Sequence, residues 1–310
     1  MAHYEPKYYV KYPCLQVRPW GLLAYERTEW LTPRKKKNQP LITKHNHSSQ
    51  DKTTGLEKAY TGQLTPYAKK KLKRAIQLMV ASAKEKEAPN FKKGTTFKFK
   101  VNFITLTLPA PQRNVTDKQL KKEVLDNYIK RLKRKFKLNS YVWRAERQKN
   151  GNLHFHMITD TWIHYEKLRN DWNSCLQKFH FIDEFEAKHG HRNPNSTDVH
   201  AVWKVKNLTQ YFIKYMSKNN PEGETIEGKI WDCSKNLKTK KNCETLLEGE
   251  ALETWQHLSN NPDIEQKSDT HYTLLFLRPY QFNKYITGSL KRMWEEYLAM
   301  IRGELSPASG

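Results

Sequence analysis

Cysteine is scarce and scattered. Cys14, Cys175, Cys233 and Cys243 lie far apart, with no CxxC pair. This spacing argues against a zinc ribbon or a disulfide framework and fits a reducing compartment. Long apolar runs are missing too: none approaches the ~18 residues of a membrane span. The opening MAHYEPKYYVKYP lacks the apolar stretch of a signal peptide. A soluble cytoplasmic protein with no membrane partner is expected. There is no internal repeat and no GxxxxGK[ST] loop, which speaks against a built-in ATP-driven helicase.

Acidic residues are in short supply, and unevenly so. Residues 1–100 carry 22 Lys+Arg against 7 Asp+Glu, residues 101–220 carry 22 against 11, and residues 221–310 carry 11 against 14. The formal net charge of +23 exceeds what solubility needs and points to a polyanion bound by the first two thirds of the chain. Charge alone would equally suit a ribosomal type of basic protein.

Residues 1–64 show no clear periodicity; PRKKKNQP and HNHSSQDKTTG read as exposed loop or arm. Tyr8, Tyr9, Tyr12 and Trp20 there suit either stacking on unpaired bases or pinning the arm to its own domain. His45 and His47 sit among polar residues and are taken as loop. Thr65-Pro66 opens a helix along Leu72, Ala75, Ile76, Met79, Val80 and Ala83. FKFKVNFITLTL (97–108) reads as one strand, and a helix capped by Thr116 or Asp117 follows through Leu120, Val124, Tyr128, Leu132 and Phe136. Strands at Tyr141–Gln148 and Leu153–Asp160, a helix at Tyr165–Phe179, a His/Asn/Gly loop, a strand VHAVWKV (199–205) and a helix capped by Asn207 come next. Beyond them lie a helix at Glu244–Leu258, a strand at His271–Arg278 and a helix at Gln281–Ile301. The order β-α-β-β-α-β-α over 97–220 predicts an α+β fold, an antiparallel sheet with helices packed on it.

His154 and His156 flank Phe155, so a strand points both imidazoles to one face, about 7 Å apart along it. A third ligand depends on the turn. With a two-residue turn at Asn150-Gly151, Arg147 would oppose His154. With a three-residue loop Lys149-Asn150-Gly151, Gly151 left-handed, Glu146 opposes His154. The three-residue loop is expected, which brings the carboxylate within about 5 Å of the imidazoles, Cβ to Cβ. Two imidazoles and a carboxylate with open positions suit a divalent ion that polarises a phosphoryl oxygen, Mg²⁺ or Mn²⁺.

TQYFIKYMSK (209–218) supplies a different chemistry. At about 100° per residue from Tyr211, Tyr215 falls at about 40°, Lys218 at about −20° and Lys214 at about −60°. Phe212, Met216 and Ile213 form a separate apolar stripe for the core. The tyrosines are therefore free to be nucleophiles, and the two lysines favour phenolate and steady a phosphate.

ITLTLP at 104–109, HFH at 154–156 and YFIKYMSK at 211–218 resemble, in order, the three motifs of the HUH endonucleases. The Y-x₃-Y pattern is similar to that of two-tyrosine rolling-circle replication initiators of the microvirus gene A type. The resemblance covers about residues 97–220. It implies a catalytic domain over 96–220 between a basic arm and helix (1–95) and a helix-rich C-terminal region (221–310) that can lend the sheet a strand. It implies metal ligands at Glu146, His154 and His156, nucleophiles at Tyr211 and Tyr215, and assistance from Lys214 and Lys218. The implied activity is nicking and rejoining of single-stranded DNA at a replication origin through a 5′-phosphotyrosine. Host helicase and polymerase would be partners, in the cytoplasm of a cell carrying a phage or plasmid. IWDCSKNLK at 230–238 is similar to a W-G-x-S-R/K segment of phage relatives, with Asp232 in place of the glycine.

Other readings differ in biology or in class. A two-tyrosine transposase or plasmid relaxase would share the chemistry. An Fe(II) oxygenase would use the same two-histidine, one-carboxylate set, but gains little from the charge or the tyrosine–lysine helix. A non-catalytic nucleic-acid-binding protein would need neither tyrosine.

Overall fold

The structure, a computed structural model, describes residues 9–31, 62–90, 93–200, 202, 207–219, 225–238 and 243–305. PRKKKNQP, HNHSSQDKTTG, Tyr8 and residues 201 and 203–206 of the expected VHAVWKV strand lie outside these residues. In chain order come β1 (Tyr9–Arg18), β2 (Gly21–Trp30), α1 (Pro66–Ser82), β3 (Lys86–Asn90), β4 (Thr95–Phe99) and β5 (Asn102–Leu106). A helical rod follows: α2 (Asp117–Gln119), a π segment (Leu120–Leu125) and α3 (Asp126–Phe136). Next are β6 (Tyr141–Arg147), β7 (Leu153–Thr159), α4 (Tyr165–Leu176), α5 (Asp183–His189), β8 (Thr197–His200) and α6 (Leu208–Met216). The last are β9 (Trp231–Cys233), β10 (Cys243–Leu246), α7 (Gly249–Ser259), β11 (Glu265–Asp269), β12 (Tyr272–Phe276), α8 (Pro279–Tyr285) and α9 (Gly288–Arg302). The fold is α+β with antiparallel sheets. No helix among the described residues is long and apolar enough to cross a membrane.

The chain divides into two units: 1–60 with 242–292, and 61–241 with 293–310. The first holds an antiparallel sheet of order β10-β1-β2-β12-β11. Part of the stretch without visible periodicity is thus an ordered hairpin, β1–β2, whose Leu15, Val17 and Leu22 are fully buried. Both faces of β1 are covered near its C-terminal end, so the alternation that betrays a half-exposed strand is lost. A Cβ at Gly21 would meet the Leu275 carbonyl oxygen at 2.0 Å, so only glycine lets β12 approach here. The expected helix at 244–258 starts later, because Cys243–Leu246 pairs with Cys14–Val17 of β1.

The second unit carries a sheet of order β8-β5-β7-β6-β9. The expected strand over 97–108 is divided: β4 pairs with β3, while β5 lies between β7 and β8. The break falls where alternation gives way to a continuous buried run, Val101–Ile104. Thr116 caps α2 with a reciprocal box to Gln119, and Thr65 Oγ1 accepts from the Ala68 amide at 3.1 Å. The loop before β8 contains α5, and the expected closing helix is interrupted between α8 and α9 at Ile286-Thr287.

The two faces of this sheet have different duties. Phe155 and Met157 of β7 are fully buried on one side, where the Trp172 ring of α4 lies 6.1 Å from that of Phe155. The alternate residues His154 and His156 point to the other side, as the two-residue period requires.

Candidate functional site

The turn between β6 and β7 sets the register. The Gln148 amide donates to the Asn152 carbonyl at 2.9 Å, the Gly151 amide to the Gln148 carbonyl at 2.8 Å, and Gly151 has φ +81°. This is the three-residue loop with a left-handed glycine, and Glu146 stands opposite His154. Neighbouring groups clamp it: Arg147 Nη1 donates to the Gly151 carbonyl at 3.1 Å, while Nη2 donates to Asp117 Oδ2 at 2.7 Å.

Glu146, His154 and His156 offer ligand atoms that all lie within 4.8 Å of one another. Glu146 Oε2 is 3.2 Å from His156 Nε2 and 3.6 Å from His154 Nε2. Burial alone would raise the Glu146 carboxyl, but His154, His156 and the Arg144 guanidinium outweigh it and hold it well below the usual carboxylate range. Burial pushes His156 down, and the neighbouring His154 adds to this against the pull of Glu146. Both groups thus favour the deprotonated forms that a cation needs. Both ring nitrogens of His154 are buried without a hydrogen-bond partner, an arrangement an ion would satisfy. The donor set fits a divalent metal, and the three side chains remain 15–23% exposed, which leaves an open side.

Helix α6 begins at Asn207, whose Oδ1 accepts from the Gln210 amide at 3.0 Å. Phe212 and Met216 are fully buried, so the core stripe is where helical spacing puts it. Tyr211 is half-buried, Tyr215 is 38% exposed, and their rings lie 4.7 Å apart. The Phe103 ring of β5 links the two groups: its centroid is 5.5 Å from His156, 6.2 Å from Tyr211 and 6.3 Å from Tyr215.

Two expectations about the lysines change. The helix closes at Met216 with Ser217 as its cap, so Lys218 lies beyond it, with its ammonium 5.3 Å from the Tyr215 ring centroid. Lys214 is exposed on the helix. Burial, with Tyr215 alongside, raises the Tyr211 phenol, so the lysines do not leave Tyr211 as a standing phenolate.

Several residues at this site went unnoticed in the sequence. Arg144, two before Glu146 and fully buried, donates from Nη1 to the Tyr215 carbonyl at 3.1 Å; its Nε and Nη2 have no hydrogen-bond partner. Phe103, Thr105 and His200 share the face of the two histidines. The missed signal is ladder register: stepping by two from Glu146 and across from His156 reaches Arg144 and Thr105.

No curated protein and no solved structure matches the chain. Residues 101–220 match a family model described as replication-associated protein, of the ORF2 type. The matched stretch holds Glu146, His154, His156, Tyr211 and Tyr215, and it supports a replication-associated protein of the Rep type.

Proposed function

We propose that the chain is a rolling-circle replication initiator that nicks and rejoins single-stranded DNA at an origin. The reading is carried by one observation: a carboxylate and two imidazoles in mutual reach, joined through the Phe103 ring to two phenols on a capped helix. Tyr211 or Tyr215 attacks the phosphorus of a scissile phosphodiester. The new Oη–P bond forms, the P–O3′ bond breaks, the phenol loses its proton and the departing oxygen gains one. The products are a free 3′ hydroxyl and a 5′-phosphotyrosine that retains the energy of the bond for the reverse step. The Lys218 ammonium beside Tyr215 and the exposed Lys214 supply positive charge toward the phosphate.

Glu146, His154 and His156 would hold a divalent cation, Mg²⁺ or Mn²⁺, whose chemistry is to polarise a phosphoryl oxygen. Histidine donors lean toward Mn²⁺ and cellular abundance toward Mg²⁺. With two adjacent phenols, the second strand transfer can proceed while the first tyrosine is still esterified. Host helicase and polymerase would then extend the 3′ hydroxyl, in the cytoplasm of a cell carrying the replicon.

The test is incubation with a panel of end-labelled single-stranded oligonucleotides and Mn²⁺, followed by a denaturing gel. A protein–DNA band that persists in denaturant supports the reading. Binding without cleavage across the panel would reduce the chain to a nucleic-acid-binding protein.

A further inference from the structure

His200 stands on the edge strand β8, away from the three candidate ligands, yet a single hydroxyl joins it to one of them. Thr105 Oγ1 lies 3.2 Å from His156 Nδ1 and 2.7 Å from His200 Nε2. The Phe103 ring lies against both imidazoles, 5.5 Å from His156 and 4.9 Å from His200. Register places Thr105 opposite His156 on one side and Asp198 on the other, and Phe103 opposite His200. The Asp198 carboxylate is 3.6 Å from the same His200 Nε2, but its side chain is 73% exposed. Thr105 is the shorter contact.

We propose that Thr105 and His200 are positioning residues that hold His156 with Nε2 presented to a divalent cation. The inference rests on the reading of Glu146, His154 and His156 as a metal site. The proton count makes the argument. His156 Nε2 is the nitrogen beside Glu146, so ligation through it requires the proton to sit on Nδ1. That N–H donates to Thr105 Oγ1, leaving the hydroxyl's single proton to be donated onward. His200 Nε2 is the acceptor it finds, and His200 is then protonated at Nδ1. The opposite direction of the chain, His200 to Thr105 to His156 Nδ1, would leave the His156 proton on Nε2, pointing at Glu146 and blocking the ion. An acceptor at His200 therefore selects the ligating tautomer, and the interposed ring of Phe103 fixes both imidazole planes. Partners of this kind set the orientation and basicity of ligating histidines.

The test is Mn²⁺ affinity of the full chain, read from the free-Mn²⁺ signal in electron paramagnetic resonance, without DNA. Thr105→Val, which keeps the shape of the side chain, and His200→Phe, which keeps a ring against Phe103, are each expected to weaken binding about 10- to 100-fold. Thr105→Ser and His200→Gln, which keep hydroxyl and acceptor, are expected to stay close to the parent chain. A melting curve on each variant separates unfolding from loss of the site. Parental affinity in folded Thr105→Val and His200→Phe would overturn the proposal, as would equal loss in the conservative and non-conservative variants. Glu146→Ala separates the two levels. If it weakens Mn²⁺ binding and Thr105→Val does not, only the positioning role falls. If it has no effect either, the metal site falls, and this inference with it.

Discussion

Glu146 and His156 are coupled through a 3.2 Å contact in a partly buried setting, and their protonation should govern both stability and metal loading. Burial holds His156 below the ordinary histidine value. The unfolded chain therefore takes up that proton at a higher pH than the folded one, and stability rises with pH through the interval below about 6.5. The metal-free protein should melt at lower temperature as pH is lowered from about 7 to about 5, and His156→Gln should lose part of that dependence. Glu146 works further down: its contribution is complete above about 4.3 and is lost only as pH falls through its depressed folded value. Thermal melts across pH, with and without the His156 change, check the order of these two effects. Adding Mn²⁺ at about 100 times its dissociation constant should stabilise the parent chain by about 2.7 kcal/mol, and Glu146→Ala should abolish most of that gain.

At the scale of elements, the β6–β7 turn carries the site's geometry. Deleting Lys149 would leave two residues in the turn, shift the register by one and place Arg147 opposite His154, with Glu146 on the far face. Mn²⁺ binding should disappear while the sheet persists, which calorimetry and circular dichroism would show together. Gly151→Ala should be milder, costing about 1–2 kcal/mol for a left-handed residue, with the site intact. This turn, the HxH strand and the apolar stripe of α6 were legible because each rests on local rules: turn length, two-residue alternation and helical spacing. The β1–β2 hairpin was not legible, since its partners β10 and β12 come from residues beyond 240. Nor were Arg144 and His200. Their importance depends on which strands neighbour β7 and where the end of α6 docks, neither of which local pattern reports. Lys218 was misplaced for a simpler reason: helical spacing gives no sign that α6 ends two residues before it.

For the whole molecule, the uneven charge follows the site. The unit holding the sheet of β5 to β8 carries 39 Lys+Arg against 20 Asp+Glu, and the other unit 16 against 12. Binding of single-stranded DNA should therefore be strongly salt-dependent, with log K falling by about 0.7 per phosphate neutralised for each unit of log salt. Lys214→Met should make that slope shallower by about 0.7 if its ammonium contacts a phosphate; a salt titration of oligonucleotide binding measures it. Tyr211→Phe/Tyr215→Phe should bind with nearly unchanged slope.

The claim on which the rest stands is covalent capture of DNA by the α6 tyrosines. Lys206, Lys214 and Lys218 allow trypsin to separate the two, leaving Tyr211 in peptide 207–214 and Tyr215 in peptide 215–218. After reaction with an oligonucleotide and Mn²⁺, then nuclease trimming, mass spectrometry should find a nucleotide phosphate on one or both of these peptides, and on neither in the double phenylalanine variant. A nucleotide adduct located elsewhere in the chain, or cleavage that persists undiminished in that variant, would contradict the account.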